Sequence, residues 1–303
     1  EHEEFFTEDQ TGDVVTNAIF ERNTRVEERL GIELQWDGTP GNSDNNDAFN
    51  ARMGTIQAAN DNYTCFAGYS LSIAKATVNG YCANLLSDDT YYLNFDDETY
   101  WPTRLISEVT FGDNLYFCSG DISANALYMM YVCFVNTDML TTFNLQNPNE
   151  LVEDGNWTYT RFIKYCENIY EDLDGDNTKS AGDRYGYMGS GIHNDVWFYG
   201  TGATFAIYND EGNLVFNPLA KSDAVSDTIS RIHNLFWTSN DGYYIEAAGD
   251  FQKAFGNGNV LFITDRCRTS FKTLKNGNYD VNFGIVPCPK YNAKQESYVT
   301  VMG

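Results

Sequence analysis

Long apolar runs are absent from this sequence. No stretch reaches the roughly 20 consecutive apolar residues that a membrane-spanning helix needs. The first four residues include three glutamates, whereas a signal peptide starts with a basic segment. We therefore expect a chain that does not itself cross a membrane.

Basic residues are scarce. Nineteen lysines and arginines stand against 43 aspartates and glutamates, so the formal net charge is −24 at pH 7. Such a charge repels the phosphate backbone of nucleic acids and the anionic headgroups of lipids. Nucleic acid is excluded as an expected partner, and the acidity is typical of a well-solvated surface.

The common signatures of metal-thiolate sites and of catalysis are also missing. The seven cysteines form no C-x-x-C pair, and an odd number cannot all close into intramolecular disulfides. The three histidines are scattered, and the sequence has no H-E-x-x-H, no G-x-S-x-G and no phosphate-binding glycine loop. We expect no cysteine or histidine metal site, no enzymatic activity, and ordinary structural positions for His193 and His233.

The hydrophobic pattern predicts an α/β protein. A chain of 303 residues suits two lobes of ordinary domain size. Helical spacing extends from Val15 to Leu30, with Gly31 as its end, and Trp157-Thr158 predicts the start of a later helix. Between such helical stretches lie segments with strand character: Ile32–Trp36, Tyr63–Ala67, Asn114–Cys118, Tyr128–Val135 and Val260–Ile263.

Four stretches, in order along the chain, match the pattern of one known family. They are residues 17–30 (NAIFERNTRVEERL), 112–123 (GDNLYFCSGDIS), 134–140 (FVNTDML) and 283–291 (FGIVPCPKY). No single stretch is diagnostic, but together they extend across nearly the whole chain. In order and spacing the sequence resembles the extracellular solute-binding proteins of family 1, the substrate-binding lipoproteins of ABC importers that include the maltodextrin-binding proteins, in the form abundant among gut Firmicutes.

This resemblance implies a fold and a function. The expected fold is α/β and two-lobed, of the type II periplasmic-binding-protein kind, with an interlobe cleft. The first lobe would comprise residues 1–122 and 285–303, apparently truncated at both ends, and the second lobe residues 123–284. The implied function is capture of a carbohydrate or similar small solute by hinge closure, followed by delivery to the permease subunits. The implied location is the cell surface, through a lipid anchor that this chain lacks.

The resemblance also places three loops at the cleft. They contain Tyr69 and Ser70, Asp121, and Asp265 with Arg266. Asp121 and Arg266 are the predicted polar contacts, because a carboxylate or a guanidinium can each hold two adjacent hydroxyls of a sugar. The alternative for Arg266 is an ordinary ion pair with a surface acid.

Aromatic side chains are abundant, at 15% of the residues with 21 tyrosines. Sugar rings present apolar C–H faces that stack on aromatic rings. Trp157, Phe162, Phe255 and Phe262 lie in core-type patterns. The rings in or beside loops rich in Gly, Asn and Ser are predicted ligand contacts, with core packing as the alternative: Tyr69, Trp197, Tyr199, Trp237 and Tyr243.

An acidic repeat predicts a calcium site. Residues 172–183 place acids at positions 1, 3, 5 and 12 of a loop with EF-hand-like spacing. Asn177 replaces the usual Gly, and Asp183 replaces the usual Glu. The predicted ligands of a structural Ca²⁺ are Asp172, Asp174, Asp176, the Thr178 backbone carbonyl and Asp183, and the alternative is an acidic, solvated turn.

Two other functions compete with solute capture. One is a secreted glycan hydrolase with an aromatic cleft and a carboxylate pair, since 43 acids allow many pairs. The other is a calcium-dependent adhesion or scaffold module. Within solute capture, sugars, peptides and other small solutes all remain open as ligands, because a fold does not fix its ligand.

Overall fold

The structure, a computed structural model, describes residues 4–10, 12–38, 46–60, 63–90, 92–277 and 279–302. The chain divides into two compact units, Glu1–Ala126 and Leu127–Gly303. Among the described residues, no helix has both the length and the apolar character needed to cross a membrane. The seven cysteines are free thiols.

The first unit is mainly helical in its described part. Its elements are α1 (Val14–Leu30), α2 (Asn46–Ala59), α3 (Ser70–Val78), a 3₁₀ turn at Asp88–Thr90, α4 (Thr103–Val109), and the antiparallel strand pair β1 (Thr110–Phe111) and β2 (Asn114–Leu115). Helix α1 begins where the Asp13 carboxylate accepts the backbone N–H groups of Val15 and Thr16. It ends at Gly31, whose φ of 65° is left-handed, so the predicted helix is confirmed.

Two predicted strands of this unit are wrong. Residues 32–36 and 63–67 belong to no strand of the described structure, and the strand expected at Asn114–Cys118 is limited to Asn114–Leu115. Alternating apolar residues favour an extended backbone, but a strand also needs a neighbour that exchanges hydrogen bonds with it. Ile32 and Trp36 are exposed accordingly.

The second unit is an α/β structure, and the short helix α5 (Asn125–Tyr128) leads into it. Its helices are α6 (Thr137–Thr142), α7 (Pro148–Glu153), α8 (Tyr159–Cys166), α9 (Val196–Tyr199), α10 (Asp223–Trp237) and α11 (Ala248–Gly256), with 3₁₀ turns at Gly191–Asn194 and Pro218–Lys221 and a π-helix at Ser270–Lys275. Its strands are β3 (Tyr131–Asn136), β4 (Tyr185–Gly189), β5 (Ala206–Tyr208), β6 (Leu214–Phe216), β7 (Gly242–Tyr244), β8 (Val260–Arg266) and β9 (Phe283–Val286).

Five of these strands form one sheet in the order β7-β4-β8-β3-β9. Strand β4 pairs parallel with β7 and β8, whereas β3 pairs antiparallel with β8 and β9. Four strands therefore run in one direction and β3 in the other. The carboxyl ends of β4, β7 and β8 consequently lie at the same edge as the start of β3, and we call this the carboxyl edge.

Helices cover both faces of this sheet. Along β3, Tyr131, Cys133 and Val135 pack in a core cluster with side chains of α8 and α10, while Val132 and Phe134 pack on the opposite face with α11. All six residues of β3 are buried, as are the first six of β8, which confirms the predicted buried strand at Val260–Ile263. The second unit is therefore a three-layer α/β structure with the sheet in the middle.

The end of the chain belongs to the second unit, which differs from the expected return to the first lobe near Gly284. Strand β9 pairs with β3, and the segment after it continues against the same unit. The Trp157 indole N–H donates to the Pro287 carbonyl at 2.9 Å, and the Tyr131 N–H donates to the Val301 carbonyl at 3.0 Å. These hydrogen bonds hold residues 285–302 within the unit that starts at Leu127.

Candidate ligand-binding site

The carboxyl edge of the second unit is the candidate site. Strand β4 ends there at Gly189, β7 at Tyr244 and β8 at Arg266, while β3 starts there at Tyr131. In open α/β sheets, ligands bind outside the carboxyl ends of the strands. Asp265 and Arg266, which the sequence placed in a turn after the buried strand, are the last two residues of β8 and lie at this edge.

Asp265 is fully buried, and its carboxylate is used inside the protein. Oδ1 accepts the Arg266 backbone N–H at 2.7 Å and lies 3.2 Å from His193 Nε2. Oδ2 accepts from Gln252 Nε2 at 2.5 Å and from Thr269 Oγ1 at 2.9 Å. Burial alone would raise the pKa of Asp265, but the hydrogen bond and charge of His193, with the other donors, lower it. Asp265 thus positions its neighbours, which differs from the predicted direct ligand contact.

His193 is the partner that the sequence did not reveal. It lies in the 3₁₀ turn after β4 and is 3% exposed. Its Nε2 lies 3.2 Å from Asp265 Oδ1 and 3.4 Å from Arg266 Nη2, while its Nδ1 is buried without a hydrogen-bond partner in the described structure. Nothing local in the sequence marks this histidine, because its partners come from a strand far along the chain.

Arg266 and Tyr131 lie opposite each other in the β8–β3 register. The guanidinium carbon is 5.9 Å from the centre of the tyrosine ring, a cation–π distance. Arg266 Nε and Tyr131 Oη are both buried without a hydrogen-bond partner among the described residues. Burial raises the pKa of Tyr131 to about 12, so its hydroxyl stays protonated. With His193, these residues form the polar trio: three contacting side chains that each carry one buried polar atom without a hydrogen-bond partner in the described part of the chain. Arg266 Nε also lies 3.7 Å from Asp265 Oδ1, an ion-pair distance.

Two aromatic rings lie where the chain enters β3 and leaves β8. Tyr128 and Phe271 have ring centroids 5.9 Å apart, and Phe271 is 54% exposed. The Cys267 N–H donates to the Met130 carbonyl at 2.9 Å, which holds the two segments together. We call Tyr128 and Phe271 the aromatic rim. Neither ring was predicted, because both sit in segments without a loop-like composition.

The predicted aromatic contacts of the second unit lie in different environments. Trp197 is 2% exposed in the core and donates its indole N–H to Tyr187 Oη at 3.2 Å. A ring enclosed on all sides cannot offer a face to a ligand, so the expectation for Trp197 is wrong. The other three rings are partly accessible. Tyr199 is half-buried against Phe198 and Phe205, and Tyr243 is half-buried and stacks on Tyr185. Trp237 is 60% exposed and lies beside His233 and Tyr244.

The predicted contacts of the first unit are all exposed. Tyr69 precedes α3 and its carbonyl accepts the N–H groups of Ser72 and Ile73, while Ser70 is the first residue of that helix. Asp121 is exposed and donates its backbone N–H to the Tyr100 carbonyl at 3.0 Å. Their side chains are accessible, and their role as ligand contacts stays a prediction.

The acidic loop brings three of its predicted ligands together. Carboxylate oxygens of Asp172, Asp174 and Asp176 all lie within 4.8 Å of one another. Asn177 has a φ of 61°, so it takes the left-handed conformation that the loop requires at this position, as predicted. The Asp176 N–H lowers the pKa of Asp174, but desolvation and the charges of the neighbouring carboxylates outweigh it, so this pKa is raised.

Asp183 is used differently in this loop, whereas the Thr178 carbonyl as a calcium ligand stays a prediction. The Asp183 carboxylate is buried and accepts the Leu173 N–H at 3.1 Å and the Ser180 N–H at 2.8 Å. It therefore closes the loop and is not one of the three clustered acids. Thr178 donates its backbone N–H to Asp176 Oδ1 at 2.6 Å.

The acidic loop is attached to the opposite edge of the sheet, at the starts of the parallel strands. Lys179 Nζ donates to the Gly242 carbonyl at the start of β7 at 2.7 Å. Tyr185, which begins β4, donates to the Ser180 carbonyl at 2.9 Å, and Asn259, just before β8, donates to the Gly182 carbonyl at 3.2 Å. The length of the strands thus separates this loop from the candidate ligand site.

Comparison with known proteins places this geometry on a known fold. No protein-family model and no curated protein matches the sequence. Among solved structures, the chain is similar to UgpB from Mycobacterium tuberculosis in complex with glycerophosphocholine (TM-score 0.54, 12% identity, 91% of this chain and 62% of that one). It is also similar to the maltose/maltodextrin-binding domain MalE from Bdellovibrio bacteriovorus bound to maltotriose (TM-score 0.52, 16% identity, 95% of this chain and 66% of that one). A third similar structure is a cyclo/maltodextrin-binding protein complexed with maltotetraose (TM-score 0.58, 15% identity, 92% of this chain and 63% of that one).

The chain therefore spans about two thirds of the length of these structures. At such low identity the likeness shows the fold. This chain has the two-lobed α/β fold of these three solved structures.

Proposed function

We propose that this chain is part of the substrate-binding component of a bacterial ABC importer. In this proposal it captures a carbohydrate or a similar small solute without changing it chemically and delivers it to the permease. The observation that supports it best is the carboxyl edge of the second unit, where Tyr131, His193 and Arg266 each carry a buried polar atom without a hydrogen-bond partner among the described residues. The fold is shared with proteins solved with bound maltotriose, maltotetraose and glycerophosphocholine.

The side chains at the carboxyl edge are of the kinds that bind a small solute. Specific small-molecule sites combine apolar and aromatic surface with a few positioned polar groups. Hinge closure of the two lobes over the solute, a location outside the cell and a lipid anchor belong to the same proposal and follow from the sequence resemblance. Retention of the solute unchanged fits the lack of H-E-x-x-H, G-x-S-x-G and phosphate-binding glycine-loop motifs in the sequence.

A ligand panel tests this proposal. The panel comprises maltotriose, maltotetraose, raffinose, cycloalternan and glycerophosphocholine. A ligand that binds only the folded state raises the melting temperature, and at about 100 times its Kd it stabilises the fold by roughly 2.7 kcal/mol. We expect at least one panel member to raise the melting temperature and to bind in calorimetry.

The same samples distinguish capture of the solute from its hydrolysis. After long incubation the bound ligand should be recovered intact by chromatography. Cleavage products would support the glycan hydrolase instead, and a melting temperature that no panel member changes would contradict the proposal.

We also propose that the acidic loop holds one structural Ca²⁺. Oxygen ligands at 2.3–2.6 Å from a Ca²⁺ can be separated by at most about 5 Å, which fits the clustered oxygens of Asp172, Asp174 and Asp176. A cation would also relieve the repulsion that raises the pKa of Asp174. Because the loop is bonded to the starts of β4, β7 and β8, the ion would stabilise the second unit away from the ligand site.

Chelation tests the calcium proposal. We expect excess chelator to lower the melting temperature of the parent protein and added Ca²⁺ to restore it. Asp174→Asn should abolish this response, whereas Asp210→Asn, an exposed acid in the turn between β5 and β6, should leave it unchanged. If chelator leaves the melting temperature of the parent protein unchanged and elemental analysis finds no metal, the calcium site is wrong.

A further inference from the structure

We propose that His193 is a proton-operated switch: when its ring gains a second proton, the Arg266 guanidinium leaves its place over Tyr131. The carboxyl edge of the second unit therefore changes in charge and shape within the pH range in which histidine titrates. This inference rests on the proposed function for its consequence, which is that capture of the solute depends on pH. It goes further by assigning a regulatory role to a buried side chain.

One ring nitrogen of His193 faces two groups with opposite needs. Nε2 lies 3.2 Å from Asp265 Oδ1, which accepts hydrogen bonds, and 3.4 Å from Arg266 Nη2, which only donates them. The carboxylate is the nearer group, so in the neutral ring Nε2 carries the proton and donates to Asp265. A second proton goes to Nδ1, which is buried without a hydrogen-bond partner among the described residues. Protonation therefore buries an N–H without an acceptor and places two positive charges side by side.

Arg266 is the member of this group that can move. The His193 and Asp265 side chains are 4% and 0% exposed, whereas the Arg266 side chain is 18% exposed. Thr264 Oγ1 donates to the His193 carbonyl at 2.9 Å, which fixes the turn after β4. The guanidinium has weaker attachments, since Nε lies 3.7 Å from Asp265 Oδ1 and the guanidinium carbon lies 5.9 Å from the centre of the Tyr131 ring. Repulsion by a charged His193 therefore moves the Arg266 side chain toward solvent.

The neighbours of His193 on other elements keep their charge state near neutral pH. On β3, burial raises the pKa of Tyr131 to about 12, so its hydroxyl stays neutral. On β8, burial alone would raise the pKa of Asp265, but the hydrogen bond and charge of His193 lower it, so the carboxylate stays ionised. On α11, the uncharged ring of Phe251 packs edge-on against His193 at 5.1 Å. The charged residues of this helix are exposed: Asp250 and Lys253.

Asp195, the residue after the 3₁₀ turn, can also take up a proton. Burial raises its pKa above the ordinary value, and the charge of His193 partly offsets this rise. The guanidinium groups of Arg266 and Arg268 stay positive throughout, so they contribute a constant charge at this edge. A pH response of the carboxyl edge therefore comes from His193 or from Asp195, and substitution distinguishes the two.

Hydrogen exchange in the ligand-free protein tests the movement. The Arg266 Nε–H is buried, so NMR of ¹⁵N-labelled arginine should find it protected from exchange with solvent at about pH 7.5. We expect this protection, measured relative to the other arginines, to fall by roughly tenfold at about pH 5.5. In His193→Gln it should stay constant, because an amide donates to Asp265 without acquiring a charge. His233→Gln changes an exposed histidine on α10 and should behave like the parent.

A comparison within the parent protein decides the result even if His193→Gln does not fold. The loss of protection should follow the titration of the His193 ring, whose NMR signal is assigned by elimination with His2→Gln and His233→Gln. Protection that stays constant while this ring titrates, or a ring that does not titrate between about pH 5 and 8, overturns the switch. A loss of protection that disappears in Asp195→Asn but persists in His193→Gln assigns the response to Asp195 and also overturns it.

Binding at two pH values tests the consequence for capture. The probes are the panel members that bind the parent, and their Kd should rise by about fivefold to tenfold between about pH 7.5 and about pH 5.5. In His193→Gln the Kd should be the same at both pH values. If Arg266 loses its protection but the parent and His193→Gln show the same change in Kd, the link between the switch and capture is overturned and solute capture stands. If no panel member binds the parent, the proposed function fails, while the exchange of Arg266 still decides the switch.

Discussion

At the scale of single residues, Asp265 organises the candidate site. Its two carboxylate oxygens face His193, the Arg266 N–H, Gln252 and Thr269, and it is fully buried. An ionised group in such a position persists only because every oxygen has a donor. Asp265 therefore holds the ring of His193 and the backbone of Arg266 in place.

Asp265→Asn should destabilise the protein by about 2–4 kcal/mol, because an amide cannot accept from all of these donors and leaves buried groups unpaired. Urea unfolding measures the change, with exposed Asp210→Asn as a control expected to stay within about 0.5 kcal/mol of the parent.

The pKa of Asp265 is lowered in the folded state. The contribution of the ionised Asp265 to the free energy of unfolding is therefore complete above the unfolded pKa of about 3.9, and it is lost as the pH falls through the lower pKa of the folded state. If the parent and Asp265→Asn lost the same stability as the pH is lowered through this range, the prediction would be wrong.

Single residues also show what a sequence can reveal. The buried strand that carries Arg266 was recognisable in the sequence, and the role of Arg266 as a ligand contact stays a prediction. Trp197 was misjudged because burial depends on partners that are distant in sequence. A Gly- and Asn-rich neighbourhood predicted an exposed Trp197, but α9 turns this side chain into the core.

At the scale of elements, the start of α8 shows local signals that succeed. Thr158 caps the helix by accepting the Arg161 N–H, and Trp157 packs on Phe162 with ring centroids 6.2 Å apart, as a hydrophobic staple does. Both residues were predicted from sequence, because a cap and a staple depend only on neighbours within one turn.

Thr158→Ala should cost about 1 kcal/mol of stability, because the Arg161 N–H loses its acceptor. Thr158→Ser keeps the hydroxyl and should recover most of it. Chemical unfolding of the three proteins provides the comparison. Equal stability of the alanine and serine variants would show that the cap contributes nothing.

Strand β4 is an element that the sequence did not predict. Its glycines interrupt any strand pattern, and Gly186 is required by packing: a Cβ there would lie 2.5 Å from the Cα of Cys166 at the end of α8. The strands expected at 32–36 and 63–67 failed for the opposite reason, since their pattern is clear but no described neighbour pairs with them.

At the scale of the whole molecule, the α/β class and two units were predictable, but the division was not. The first boundary, expected at residue 122, lies at Ala126, whereas residues 285–302 stay in the second unit. Hydrophobic periodicity predicts strands but not their order, and the pairing of β9 with β3 decides where the chain end belongs. Both core clusters of the second unit are built from its own residues.

The position of β3 in its sheet determines when the second unit can fold. This strand is the first of the unit along the chain, yet its two neighbours, β8 and β9, come last. Closing so long a loop costs chain entropy before any contact is gained, so the sheet should assemble late and slowly. Until residue 286 is available, β3 exposes an apolar strand with two open edges, which invites aggregation. A partly synthesised chain would therefore depend on molecular chaperones until its final strand emerges.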